Sequence, residues 1–166
     1  MKCFLGLGCA VAALAAPTAL AAPAQWTVAG SGIAGVELAG DQLEVGARSD
    51  VGGLNPQGHV ENQATLFTTT FNDGGPIVCM RVIGNRAVVV WQYRHPLVVP
   101  DQPGVVRPYG AAFIEDNGNP VDGQPVDRMA DFAVQTANVH FFCESDLVGF
   151  FIALPLASGN FVVDGG

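Results

Sequence analysis

The fold is decided by the stretch IVCMRVIGNRAVVVW, which runs from Ile77 to Trp91. Two runs rich in β-branched residues flank the pair Gly84-Asn85. Glycine at the first central position suits a two-residue type II′ turn, whose twist matches that of two paired strands. This stretch therefore predicts an antiparallel β-hairpin that turns at Gly84-Asn85.

Similar runs continue on both sides of this hairpin, separated by glycine, proline, asparagine and aspartate. That alternation is typical of antiparallel strands and turns. It predicts ten strands, at about residues 26–33, 42–48, 59–65, 66–71, 77–83, 86–94, 109–115, 138–143, 149–154 and 160–163. A single domain of this kind is all-β, and it is either an antiparallel β-sandwich or a closed up-and-down β-barrel.

One segment has a helical pattern instead. Pro125 and a capping Asp127 precede Met129 and Phe132 at mixed helical spacing. The fold is therefore expected to contain at most one short helix, of two turns at most, from Asp127 to about residue 136.

The N-terminus has the pattern of an export signal. Lys2 is followed by an apolar run from Cys3 to Ala16, which is too short to cross a bilayer as a mature helix. Small residues favour cleavage after Ala24, with cleavage after Ala21 as the alternative. We expect a signal peptide over residues 1–24, a single all-β domain over residues 25–166, and secretion, either free or with retention in a periplasm or cell wall.

The charge of the mature chain is strongly negative. Removal of Lys2 leaves six arginines and 15 acidic residues, so the net charge is 6 minus 15, or −9. This excess repels nucleic acid and anionic membrane surfaces and keeps an exported protein soluble. We expect a monomer that binds no nucleic acid and whose mature part has no integral membrane segment.

Two cysteines remain after cleavage, Cys79 and Cys143. In an oxidising compartment an even count indicates one disulfide, although a buried thiol pair is the alternative. Closing a loop of about 65 residues would stabilise the fold by roughly 4 kcal/mol in the chain-entropy model.

A glycine motif near the mature N-terminus resembles a dinucleotide-binding fingerprint. Gly30, Gly32 and Gly35 have the G-x-G-x-x-G spacing. The fingerprint requires a following helix and a second parallel strand, but Gly40 and Gly46 interrupt the segment and no βαβ pattern follows. We expect two strands joined by a glycine turn, and no cofactor.

An acidic loop carries the one candidate metal site. Oxygen ligands of the kind that Ca²⁺ prefers are gathered between Glu115 and Asp127. The candidate ligands are Asp116, Asn119, Asp122 and Asp127. Their spacing does not match the twelve-residue helix-loop-helix pattern, so a solvated turn is the other interpretation.

No catalytic constellation is present in the sequence. His59, His95 and His140 lack the spacing of a zinc site, and no serine lies in a G-x-S-x-G motif. We therefore expect a protein that is not an enzyme. A hydrolase that uses the loop carboxylates is the remote alternative.

Three sequence segments resemble those of other proteins: NPQGHV at residues 55–60, VCMRVIGNRAVV at 78–89 and FIEDNGNP at 113–120. They resemble a loose group of uncharacterised small secreted β-rich proteins of bacteria with high-GC genomes. The resemblance implies export and a β fold, and it implies no site residues.

The function expected from these observations is a secreted, non-enzymatic β-domain that binds or displays something at the cell exterior. The alternative is a carrier of a small apolar ligand inside a β-barrel. Six aromatic residues could line such a cavity: Trp91, Tyr93, Phe113, Phe141, Phe150 and Phe151. Aromatic residues at strand spacing also form an ordinary core.

Overall fold

The computed structural model describes residues 24–34, 41–66, 69–98, 104–118, 126–144 and 153–166. Eight antiparallel strands follow one another around a closed barrel, and the last strand pairs with the first. The predicted all-β class is confirmed, in the form of the closed up-and-down barrel. Residues 1–23 of the predicted signal peptide lie outside the described residues.

The strands are β1 (Gln25–Ala34), β2 (Asp41–Asp50), β3 (Gln57–Leu66), β4 (Thr69–Ile83), β5 (Arg86–Val98), β6 (Val106–Glu115), β7 (Arg128–Val134) and β8 (Leu154–Asp164). One α-helix, α1 (Val139–Glu144), follows a 3₁₀ turn at Thr136–Asn138. The described residues contain no helix with the length and apolar character that crossing a bilayer requires.

The central hairpin has the predicted geometry. Ile83 pairs with Arg86, and the two residues between them form the turn. Gly84 has φ +62° and Asn85 has no positive φ, the combination that a type II′ turn requires. The prediction made from residues 77–91 is therefore confirmed.

Every second residue of each strand points into the barrel interior. On β2, for example, Leu43, Val45 and Ala47 are buried while their neighbours are exposed. The largest side chains of this core belong to six different strands and are at most 2 % exposed: Leu43, Met80, Trp91, Ile114, Met129 and Phe161. Burial of such side chains, at about 2 kcal/mol each, is the main source of stability.

A second apolar layer lies outside the barrel. Val88, Val90 and Phe113 point outward from β5 and β6, and they are buried because α1 covers them with Phe142 and Cys143. Phe113, Phe132 and Phe142 stack or meet edge to face, with ring centroids 5.3 to 6.1 Å apart. This layer fixes α1 on the sheet.

The predicted disulfide joins α1 to this outer face. Cys79 on β4 and Cys143 on α1 form the bridge, with their Cα atoms 6.1 Å apart. Between Ile77 and Cys79 the β4–β5 register shifts by a bulge, so that Ile77 and Met80 point inward and Cys79 points outward. The bulge is what allows Cys79 to reach the helix.

Two predicted elements have the wrong type of secondary structure. The segment predicted as a helix from Asp127 contains β7, and the strand predicted at 138–143 is α1. The helical spacing was misleading because each face of β7 carries a large apolar residue: Met129 faces the interior, and Phe132 faces α1. A short apolar run such as that of α1 has no period that separates helix from strand.

Among the described residues the structure has eight strands, where the sequence predicted ten over the whole chain. Residues 69–71 of the strand predicted at 66–71, and the strand predicted at 77–83, are parts of the single long strand β4, which continues through Gly74 and Gly75. The strand predicted at 149–154 lies largely outside the described residues. Glycine is depleted in strands, which is why the sequence indicated a break inside β4.

Side-chain hydrogen bonds, as well as the backbone pairing of β7 with β8, close the barrel. Between β7 and β8 the described pairs are Arg128 with Pro155 and Met129 with Leu154. Asp127, only 2 % exposed, accepts hydrogen bonds from the backbone N–H of Phe161 and of Asn117, each at 2.7 Å. Its carboxylate therefore ties β8 to the loop that precedes β7.

Candidate functional site

Polar side chains replace apolar ones at one level of the lumen. Asp41 begins β2 on the same face as buried Leu43, and Asn62 on β3 lies on the same face as Val60. Tyr93 on β5 and Asp131 on β7 continue the inward rows of Trp91 and Met129. We call Asp41, Asn62, Trp91, Tyr93 and Asp131 the polar cluster.

One hydrogen bond and short-range electrostatic contacts connect the four non-indole members of the polar cluster. Asn62 Nδ2 donates to Asp131 Oδ2 at 2.8 Å, across a separation of 69 residues in the chain. Asn62 also lies close enough to Tyr93, and Asp41 close enough to Asp131, to influence the pKa of its neighbour. Two buried carboxyl groups this close disfavour ionisation of both, so the pair favours holding one proton between them.

The environment of Asp131 keeps that proton near neutral pH. Burial raises the pKa of Asp131 to about 7, and the negative charge of Asp41 acts in the same direction, while the hydrogen bond from Asn62 opposes it. Burial, followed by the charges of Asp131 and Asp73, also raises the pKa of Tyr93 well above its usual range. Tyr93 is therefore a neutral hydrogen-bonding group here.

Two buried atoms of the polar cluster have no hydrogen-bond partner within the described ranges. They are Asn62 Oδ1, on a residue that is 6 % exposed, and Trp91 Nε1, on a residue with no exposed surface. One is an acceptor and the other a donor. A buried polar atom left unpaired costs about 1–3 kcal/mol, so each atom favours a ligand that can pair it.

The position of the Trp91 indole is fixed from two sides. Its ring meets Tyr93 edge to face, with centroids 5.9 Å apart and planes at 86°. On β6, the residue opposite Trp91 is Gly110, and the indole lies directly over it. The indole therefore lies between Gly110 and Tyr93, and Tyr93 in turn interacts with Asn62.

Asp73 lies beside the polar cluster but has a structural task. It pairs with Asn62 across β3 and β4. Its carboxylate accepts hydrogen bonds from the backbone N–H of Gly74 at 2.6 Å, Arg94 at 3.2 Å and His95 at 2.8 Å. Asp73 thus adds negative charge near the cluster while its oxygens hold β4 and β5 together.

Two of the four predicted calcium ligands are described, and both bind backbone. Asp116 accepts from the N–H of Val163 at 2.8 Å and of Gly118 at 2.7 Å, and Asp127 holds Asn117 and Phe161 as above. Asn119 and Asp122 lie outside the described residues. The described residues contain no group of three or more metal-ligating side chains, and the calcium site itself stays a prediction.

The six aromatic residues predicted to line a cavity do not share one location in the structure. Trp91 and Tyr93 face the lumen, whereas Phe113 points outward under α1. Phe141 lies on α1 and is 54 % exposed, and residues 150 and 151 lie outside the described residues. The aromatic part of the lumen that bears on a ligand is therefore the Trp91–Tyr93 pair.

A separate charged cluster lies on the outer surface. Glu61 accepts from Arg94, and it contacts His59 Nε2 at 2.7 Å. The hydrogen bonds from Arg94 and then His59 lower the pKa of Glu61. All three side chains are close to half exposed, and Arg94 places a permanent positive charge beside His59, which disfavours a metal ion there.

Comparison of the chain with protein-family models, with curated proteins and with solved structures found no match. The resemblance to small secreted bacterial proteins therefore stays a prediction. The polar cluster was also missed in the sequence, although one signal was present. Asn62 follows Val60, and Asp131 follows Met129, at the spacing that places both polar residues on buried faces.

Proposed function

We propose that this chain is an exported, non-enzymatic binding protein whose barrel holds a small polar molecule at the polar cluster. The observation that carries the proposal is the pair of buried, unpartnered atoms, Asn62 Oδ1 and Trp91 Nε1, beside the carboxyl pair of Asp41 and Asp131. A ligand with one donor and one acceptor would satisfy both atoms.

The apolar carrier is the alternative that this arrangement disfavours. The apolar rows of the lumen are occupied by the protein's own large side chains, including Trp91, Met80 and Phe161. An apolar ligand placed at the polar cluster would leave Asn62 Oδ1 and Trp91 Nε1 unpaired. Polar recognition therefore accounts better for these residues.

Binding also accounts for the cluster better than catalysis does. The loop carboxylates Asp116 and Asp127 are engaged with backbone N–H groups, and the carboxyl pair lies elsewhere. The amide of Asn62, which donates to Asp131, and the indole of Trp91, which contacts Tyr93, do not exchange protons near neutral pH. Tyr93 keeps its proton because burial raises its pKa. These are groups that hold a ligand in place.

Native mass spectrometry of the protein, isolated from the medium of its own source, tests the proposal. We expect a bound small molecule whose mass is lost on denaturation. The variant Asn62→Leu should lose it, whereas Gln63→Leu, the exposed neighbour on the outer face of β3, should keep it. A bare protein would contradict the proposal. A hydrocarbon-like ligand that Asn62→Leu retains would support the apolar carrier instead.

A further inference from the structure

We propose that the ligand of the polar cluster is a small primary ammonium compound that carries a hydrogen-bond acceptor, of which an amino alcohol is the simplest example. The inference rests on the proposed function and names the ligand class of the same site. It follows from the juxtaposition of the Asp41 and Asp131 carboxyls with the unpaired Asn62 Oδ1 and Trp91 Nε1.

The sign of the ligand charge follows from the groups that face the cluster. The charged groups acting on Tyr93 are the carboxylates of Asp131, Asp73 and Asp41. Asp73 acts through its charge alone, because its oxygens already accept three backbone N–H groups. A cation is attracted by this field in a largely buried site, whereas an anion is repelled.

The amide of Asn62 requires that the cation have N–H groups. Because Nδ2 donates to Asp131, Oδ1 of the same amide lies next to the carboxyl pair as an acceptor without a described partner. A primary ammonium group has three N–H donors, which match Asn62 Oδ1 and one oxygen from each of Asp41 and Asp131. A quaternary ammonium group has none.

The indole of Trp91 supplies the second part of the recognition. Its Nε1–H is a donor without a described partner, so the ligand needs an acceptor such as a hydroxyl oxygen near its ammonium group. The aromatic rings of Trp91 and Tyr93 also favour a cation near their faces. A short amino alcohol combines both properties.

Binding of the cation displaces the shared proton. In the free protein the pair is one carboxylic acid and one carboxylate, and in the complex both are carboxylates that face R–NH₃⁺. The ligand keeps its three protons, and one proton passes from the pair to solvent. The groups that face Asp131 are Asp41 on β2, Asn62 on β3 and Tyr93 on β5, with the charge of Asp73 on β4 nearby.

The pH dependence of binding follows from this exchange. Burial holds the pKa of Asp131 at about 7, so the proton must be displaced at lower pH. The affinity should therefore rise about tenfold per pH unit as the pH increases toward 7, and then level off.

The experiment is calorimetric titration at pH 7 with four probes of related structure. Ethanolamine carries the ammonium group and the hydroxyl, ethylene glycol is neutral, glycolate is an anion, and choline lacks N–H groups. Ethanolamine should bind at least tenfold more tightly than the other three. At pH 6, buffers that differ in ionisation enthalpy should report the release of close to one proton.

Variants separate the role of the charge from a structural role. Asp131→Asn should weaken ethanolamine binding at least tenfold and remove the proton release, whereas exposed Asp164→Asn should leave both unchanged. Trp91→Phe should weaken ethanolamine several-fold and leave the released proton in place. If Asp131→Asn fails to fold by circular dichroism, Asp41→Asn tests the same pair.

The outcomes distinguish this inference from the proposed function. Ethylene glycol or glycolate binding as tightly as ethanolamine would overturn the ammonium inference while leaving a polar ligand site. Choline binding as tightly would overturn the requirement for N–H groups. If none of the four probes binds, a co-purified molecule in the native spectrum would preserve the proposed function alone, and a bare protein would remove both.

Discussion

Trp91 lies across the backbone of Gly110, so closely that a Cβ atom added to the glycine would be 2.2 Å from Cζ2 of the indole. The two residues face each other on β5 and β6. Only glycine leaves room for the ring in this position, and the ring in turn covers backbone that glycine would leave bare. The orientation of the polar cluster therefore depends on the residue opposite Trp91.

Gly110→Ala should destabilise the fold by about 2–3 kcal/mol, because the methyl group forces the buried indole or the strand to move. Gly46→Ala is the matched control, since a Cβ atom there meets nothing within 4 Å. It should change the free energy of unfolding by well under about 1 kcal/mol. Urea unfolding of both variants measures the difference, and equal losses would contradict the described position of Trp91.

Asp127→Ala should cost about 3 kcal/mol, because it leaves the buried N–H group of Phe161 and the half-buried N–H group of Asn117 without their acceptor. Asp127→Asn keeps one acceptor oxygen and should lose about half as much. Asp164→Ala removes an exposed carboxylate and should have little effect. Addition of Ca²⁺ should leave the order of these three variants unchanged if Asp127 acts on backbone alone. A large Ca²⁺-dependent stabilisation of the wild type, absent in Asp127→Asn, would favour the calcium site.

Phe142→Ala should destabilise the protein by about 2 kcal/mol, because Phe142 packs on Phe113 and Phe132 under α1. The adjacent Phe141 points to solvent, so Phe141→Ala should change stability by less than about 0.5 kcal/mol. Thermal unfolding of the oxidised protein compares the two. The reverse order would mean that α1 presents its other face to the barrel.

Stability should fall as the pH rises from about 5 to 7. The folded protein holds a proton on Asp131, whose pKa is about 7, whereas the unfolded chain releases it near its ordinary value of 3.8. The native state therefore binds the extra proton in this window, and the slope is negative and at most about 1.4 kcal/mol per pH unit. Above pH 7 this contribution is constant.

Urea unfolding at pH 5, 6, 7 and 8 measures this slope. Subtracting the curve of Asp131→Asn isolates the contribution of Asp131 from those of the other carboxylates. Asp164→Asn should retain the wild-type pH dependence. A wild-type curve parallel to that of Asp131→Asn would show that Asp131 holds no proton in this range.

The parts of the fold that could be predicted were those decided by neighbours in the chain. Gly84 and Asn85 determine their turn locally. The distant disulfide could also be predicted, because Cys79 and Cys143 are the two cysteines that follow the N-terminal residues 1–24. The wrong prediction for β7 and α1 had a different origin. Whether Phe132 belongs to a strand depends on the helix that covers it, and that contact is not encoded in local spacing.

The polar cluster could not be predicted because its members meet only when the barrel closes. Asn62 and Asp131 are 69 residues apart, and their contact requires the register of every strand between them. The sequence predicted a calcium site in the acidic loop because the carboxylates of this loop are close in sequence. In the fold, Asp116 and Asp127 satisfy backbone N–H groups, a role that spacing alone does not distinguish from metal binding.

The most direct test of the binding site is the indole N–H resonance of Trp91 in an ¹H–¹⁵N spectrum. The chain has two tryptophans, so Trp26→Phe leaves a single indole signal. We predict that ethanolamine shifts this signal downfield in a saturable way, as Nε1–H gains an acceptor, and that Asp131→Asn weakens the response. A signal that does not move, in a protein whose other resonances report binding, would contradict the placement of the ligand at the polar cluster.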